Sequence, residues 1–315
     1  MSSLRVGLAL SWLFLALATA PVFASPQDEN AATAPSDKKQ PAADQKDKPR
    51  KFEFMRLTRD EKKQPVSMDT AIVTYVGRNA QGEEVRVDLI GAVHIGDRSY
   101  YQKLNKEFEK YDSLLYELVA PKGAQPARGA AGAWQPIGKL LELDDQIKWI
   151  DYEKDNFVHA DMSWDEFSES MKKRQESFLK MYFRMIGYSL AKQTSAKSGS
   201  TDADFLMAIL FSKNRALAMK RVMASQFDSV GDAMGGLSGP EGSTIITERN
   251  KVALAVLAEQ IKAGKKRLGI FYGAGHLSDM DQRLLDEFKF RRGKARWLVA
   301  WDLRDKASPK KSDDK

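Results

Sequence analysis

Apolar residues recur along this chain with two different periods. Val, Ile, Thr and Leu crowd Asp69–Val76 and Glu84–His94, and the intervening Gly77–Gly82 carries turn residues, so the pair predicts a β-hairpin. A helical period follows over Ser99–Tyr111, then a buried strand over Ser113–Val119 that Pro121 closes. Towards the carboxyl end the pattern gives an amphipathic helix over Thr244–Ala263, a strand over Arg267–Tyr272, a helix over Leu277–Phe288 and a last strand over Ala295–Leu303. Strand, helix and strand at both ends predict an α/β fold, a mostly parallel sheet with flanking helices.

The middle reads differently. Trp164–Lys192 and Asp202–Phe227 are long helical patterns with only the polar stretch Gln193–Thr201 between them, which predicts a helical insertion or cap over about 124–240. Ser163 and Glu166 have capping-box spacing at its first helix. Eight of the 12 methionines fall between Met162 and Met234; this reads as helical-hairpin core, with an adaptable binding surface as the alternative.

The amino-terminal run Val6–Ala24 is uncharged, follows Arg5 and ends in Val22-Phe23-Ala24, the pattern of a secretory signal cleaved after Ala24. Left uncleaved, it approaches the roughly 20 residues that span a bilayer, so a membrane anchor is the alternative. Residues 25–50 mix Pro, Ala, Lys and Asp with no large apolar side chain and predict a disordered tether; residues 306–315 predict a disordered tail. Residues 51–305 are then the folded unit of an exported protein, periplasmic or extracellular.

Composition narrows the chemistry. The chain of 315 residues has no cysteine, which excludes disulfides, thiolate metal sites and thiol nucleophiles. Its net charge of +7 is spread along the sequence, which argues against a nucleic-acid binder. The basic clusters Lys262–Arg267 and Arg291–Arg296 read as solvated faces, with an anionic partner or membrane surface as the sharper alternative.

Only three histidines are present, and two sit in matched settings. Gly91-Ala92-Val93-His94 and Gly273-Ala274-Gly275-His276 each end an apolar strand and lead into a helix. Ligands of parallel α/β sheets bind beyond the carboxyl ends of the strands, so both imidazoles are expected over one cleft. Glu117 lies in an apolar strand where an ionised carboxylate needs a partner. Arg249 falls in line with Ile245, Val252 and Val256, an inward position that calls for a carboxylate or anionic substrate opposite; Glu117 is one candidate, and Glu248 is expected to reach the same region. His159 and Asp161 share one side if their segment is extended, where they would add a metal ligand or orient the substrate, unless they only support the adjacent helix start.

The ordered set Gly91-x-x-His94, Glu117, Glu248-Arg249-Asn250 and Gly273-x-x-His276 resembles the TraB/Tiki/GumN family, which is related more distantly to erythromycin esterases and the haem-binding ChaN proteins. The likeness spans roughly Met68–Leu303. It implies an α/β core with a helical insertion and the two histidines facing each other across the site. In the Tiki branch it implies a protease dependent on a divalent metal, and it carries functional roles onto His94, Glu117, Arg249 and His276. The expected protein is an exported hydrolase, acting on a peptide or small molecule, with Mn, Co or Zn held by His94, His276, Glu117 and His159, and with Glu117, Arg249 and Glu248 as catalytic groups. The alternatives are a metal-free hydrolase with a histidine–glutamate base and a non-catalytic protein that binds metal or haem.

Overall fold

The structure, a computed structural model, describes residues 52–127, 129–130, 132–177, 180, 211–225 and 242–305. The leader, the tether, the tail and, within the expected insertion, residues 181–210 (Gln193–Thr201 among them) and 226–240 lie outside the described residues. No helix among the described residues is long and apolar enough to cross a membrane.

In chain order the strands are β1 (Met55–Arg59), β2 (Pro65–Arg78), β3 (Glu84–Ala92), β4 (Ile95–Gly96), β5 (Ser113–Tyr116), β6 (Asp144–Asp145), β7 (Phe157–His159), β8 (Arg267–Gly273) and β9 (Arg291–Asp302). The helices are α1 (Arg98–Phe108), α2 (Gln135–Leu140), α3 (Gln146–Trp149), α4 (Trp164–Lys173), α5 (Arg249–Lys262) and α6 (Leu277–Asp286); a π-helical turn over Thr244–Glu248 leads into α5. The main sheet runs β1-β2-β3-β8-β5-β7, with β9 also on β2, while β4 and β6 form a separate short pair.

The expected hairpin is β2 and β3, paired antiparallel from Ile72↔Ile90 to Arg78↔Glu84. Beyond it β3, β8, β5 and β7 are parallel, as expected of an α/β fold. The last strand departs from the expectation drawn from its strand-helix-strand order. It does not cross over to a parallel place beside β8, but returns along β2 antiparallel, Ile72 opposite Arg296. β1, absent from the periodicity reading, pairs with the first half of β2.

Alternation along the strands divides the core between the two faces of the sheet. On one face, Ile90 and Phe271 pack with Tyr100, Tyr101, Leu104 and Phe108, whose spacing makes a single apolar stripe along α1. On the other, Leu89, Ile270 and Tyr272 pack with Ala253, Leu254 and Leu257 of α5 and Leu277, Met280 and Leu284 of α6. Of the middle segment, α4 starts with the expected capping box between Ser163 and Glu166. Residues 215–225 are helical, and Arg221 donates to the Leu303 carbonyl (2.9 Å).

Candidate active-site cleft

Parallel pairing brings the motifs together. β8 lies between β3 and β5, with Ala92 opposite Gly273 and Tyr116 opposite Phe271. His94 and His276 therefore follow neighbouring strands, and Glu117, the first residue beyond β5, flanks His276 on its other side. All three stand at the carboxyl-terminal edge of the sheet, where such folds bind ligands.

Glu117 is the hub. Its Oε1 accepts from Arg249 Nη2 at 2.7 Å and stands 3.5 Å from His276 Nε2, and its Oε2 accepts from the Gly273 N–H at 2.7 Å. A Cβ on Gly273 would come within 3.2 Å of that Oε2, so the glycine is what lets the carboxylate approach the strand end. Burial alone would raise the Glu117 pKa; the Arg249 guanidinium, the two imidazoles and the Gly273 N–H outweigh it and hold the carboxyl well below the usual range.

Arg249 faces inward, as its helical spacing predicts, and is buried. Besides Glu117 it grips Asp161 at two points, Nε to Oδ1 at 2.9 Å and Nη2 to Oδ2 at 2.6 Å. Burial opposes its charge, but the two carboxylates more than compensate and raise its pKa. Nη1 has no hydrogen-bond partner among the described residues.

The tautomer of His276 follows from Asn250. The Asn250 amide nitrogen donates to the His276 carbonyl (3.0 Å) and to Asp279 (2.8 Å), which leaves its oxygen to accept from His276 Nδ1 at 2.7 Å. Turning that amide over would set its oxygen against two acceptors, so the network itself assigns the proton to Nδ1. Nε2 then carries a lone pair directed at Glu117. Burial pushes the His276 pKa down to about 4 against the pull of Glu117.

His94 is exposed, its ring stacked parallel on Trp134 (centroids 5.4 Å apart, planes at 7°) and without a hydrogen-bond partner among the described residues. The protein crowded round it lowers its pKa, against the charges of Glu117 and Asp145. Asp145 enters through β6, whose pairing with Ile95 places it beside His94; burial raises its pKa, and backbone N–H groups of Ile147, Lys148 and Gly132 oppose that rise.

Two expected site residues lie elsewhere. His159 spends both ring nitrogens on the backbone, Nε2 donating to the Leu118 carbonyl (2.6 Å) and Nδ1 accepting from the Gly123 N–H (3.2 Å), so no lone pair is left for a metal. Asp161 does not share its direction but reaches Arg249. Glu248 pairs with Arg174 (3.3 Å) and Lys251 (3.0 Å) rather than entering the cleft, because consecutive helical residues point about 100° apart. In the sequence Asn250 stands out only as part of the Glu248-Arg249-Asn250 run; Trp134, Asp145 and the Asp161–Arg249 pair carry no signal of spacing.

The cluster offers a cation two donors, one of which, Glu117 Oε1, already accepts from Arg249. Arg249 faces two carboxylates, leaving the cluster net negative, and the 3.5 Å between His276 Nε2 and Glu117 Oε1 suits two ligands sharing one ion at bonds of about 2.0–2.2 Å. Among the described residues no group of three His, Asp or Glu side chains forms a ready metal cage, so His94 does not join the other two at ligand distance. A separate groove of about 620 Å³ lies at the opposite end of the parallel strands, lined by Arg86, Asp88, Glu107, Arg267 and Arg296. There the two basic clusters meet carboxylates, Arg296 on Glu107 and Lys266 on Glu83.

No family model, curated protein or solved structure matches this chain, so the likeness to the TraB/Tiki/GumN family rests on its own residues.

Proposed function

We propose that this chain is an exported hydrolase of the TraB/Tiki/GumN kind, a peptidase dependent on a divalent ion (Mn, Co or Zn) with its reaction centre between His276, Glu117 and His94. The observation that carries the reading is the pairing of His276 Nε2 with Glu117 Oε1: two acceptors 3.5 Å apart, one fixed in its tautomer by Asn250, with no proton of their own to share. Two facing acceptors repel unless a proton or cation lies between them. An ion held there would lower the pKa of a bound water and polarise the scissile carbonyl. The protein's own contribution is positional. Asn250 aims the imidazole, Gly273 seats the carboxylate, and Arg249 Nη1, without a hydrogen-bond partner among the described residues, would be a donor for a developing oxyanion.

A metal-free route is favoured by a different observation. Arg249 and Gly273 already engage both oxygens of Glu117. In that route His276 Nε2 takes the proton of the attacking water and Glu117 steadies the resulting imidazolium. Metal analysis of protein purified without an affinity tag, followed by cleavage of a peptide library with and without chelator, tests the reading. Stoichiometric metal and chelator-sensitive cleavage support it; metal-free protein that cleaves undiminished in chelator establishes the second route. A haem absorption band with no cleavage would reject both in favour of a binding protein.

A further inference from the structure

We infer that Trp134 is a positioning residue that fixes the plane of the His94 imidazole at the cleft, the task that Asn250 performs for His276. The inference rests on the hydrolase reading above, by either of its routes, and needs no cation at the site. The two motif histidines are held by different means. His276 spends Nδ1 on Asn250 at 2.7 Å. Neither ring nitrogen of His94 has a hydrogen-bond partner among the described residues, and the group lying flat against its ring is the half-buried Trp134 indole, with 5.4 Å between centroids and planes at 7°. A stacked face sets the plane of an imidazole without engaging its nitrogens. His94 is thereby oriented while Nδ1 and Nε2 both stay open to substrate.

One short segment anchors both rings. The Gln146 N–H donates to the His94 carbonyl at 2.9 Å. The preceding residue, Asp145, pairs with Ile95, and its carboxylate accepts from the Gly132 N–H. That carboxylate is also held by the Ile147 N–H at 2.9 Å, which restrains it from swinging aside. A Cβ on Gly132 would overlap both Asp145 oxygens, so a glycine is what admits so close an approach. Two residues further on, the chain presents Trp134, whose carbonyl accepts from the Gly138 N–H of α2 at 2.9 Å. Asp145 and Gln146 thus tie the imidazole and the indole to the same point, and the stack is a built contact.

The test uses the full chain with isotope-labelled histidine, together with kcat and KM on a peptide that the wild type cleaves. One histidine, identified by its loss in His94→Gln, should show ring protons shifted upfield by the indole face. Trp134→Leu should abolish that shift and lower kcat by at least about tenfold with KM changed less than about twofold, because a small misplacement of a reacting group is costly. Trp134→Phe, which keeps an aromatic face, should retain the shift and most of the rate. Gly132→Ala leaves the indole in the chain but displaces its loop, and should reproduce the loss seen in Trp134→Leu; it carries the same test if Trp134→Leu fails to fold. Undiminished kcat in Trp134→Leu or in Gly132→Ala, an equal loss in Trp134→Phe, or no upfield shift in wild type would each overturn the positioning role and leave the hydrolase reading standing. A wild type that shows the shift but cleaves no peptide would overturn the hydrolase reading, and the positioning role with it.

Discussion

Asn250 gives His276 a direction that the strand alone does not. With its amide nitrogen committed to the His276 carbonyl and to Asp279, its oxygen can only accept, and the imidazole must present Nε2 to the cleft. Asn250→Ala should therefore lower ion affinity and hydrolysis by about 10–100-fold, read by calorimetry and by initial rates, while Asn250→Asp, which still accepts from Nδ1, should retain more of both. The same burial makes His276 a source of acid sensitivity. Its pKa is about 4 in the folded chain, against about 6.5 when unfolded, so as pH falls the unfolded chain takes up the proton first. Its contribution is complete above about pH 6.5 and is lost progressively towards pH 4, a loss of order 3 kcal/mol at about 1.4 kcal/mol per pKa unit. Glu117, also depressed, adds its own loss at lower pH still. Urea unfolding in chelator across this range should show the decline in wild type and a flatter profile in His276→Gln.

At the scale of elements, the chain announces what is local and conceals what is not. The β2–β3 hairpin, α1, β5 and β8 follow from short-range pattern and turn chemistry, and the edge on which His94, Glu117 and His276 meet follows from where their strands end. The direction of β9 does not, because its partner is β2, more than 200 residues earlier, with Trp301 opposite Met68. The partner of Arg249 was half legible. Glu117 is a candidate from its place in an apolar strand, whereas the sequence sets Asp161 beside His159, and the chain after β7 sends the two side chains to different partners. Glu248 stands one residue out of the inward line that holds Arg249, and it pairs with Arg174 and Lys251 instead of the cleft. The glycine of the second motif makes this scale testable. Gly273 has ordinary backbone angles, so Gly273→Ala is not strained by its conformation, and only the added Cβ, 3.2 Å from Glu117 Oε2, disturbs the site. It should cost less than about 1.5 kcal/mol in melting, and the few tenths of an ångström by which Glu117 must yield should reduce hydrolysis by about twofold to tenfold.

Across the whole molecule, the cleft is assembled from parts remote in the chain. Glu117 meets Arg249 over a separation of 132 residues and Gly273 over 156. Parallel pairings of this span form slowly, because the loops they close must be ordered before any contact rewards it. Until β3, β8 and β5 lie side by side, the chain holds three separate strand ends and no reaction centre. On the exported-hydrolase reading proposed above, a precursor kept unfolded for export would be inactive inside the cell that makes it, and activity would begin only where the sheet closes. Refolding from urea with Co present should show ion uptake in step with the slowest recovery of native structure; uptake in an early phase, before the sheet forms, would contradict this timing.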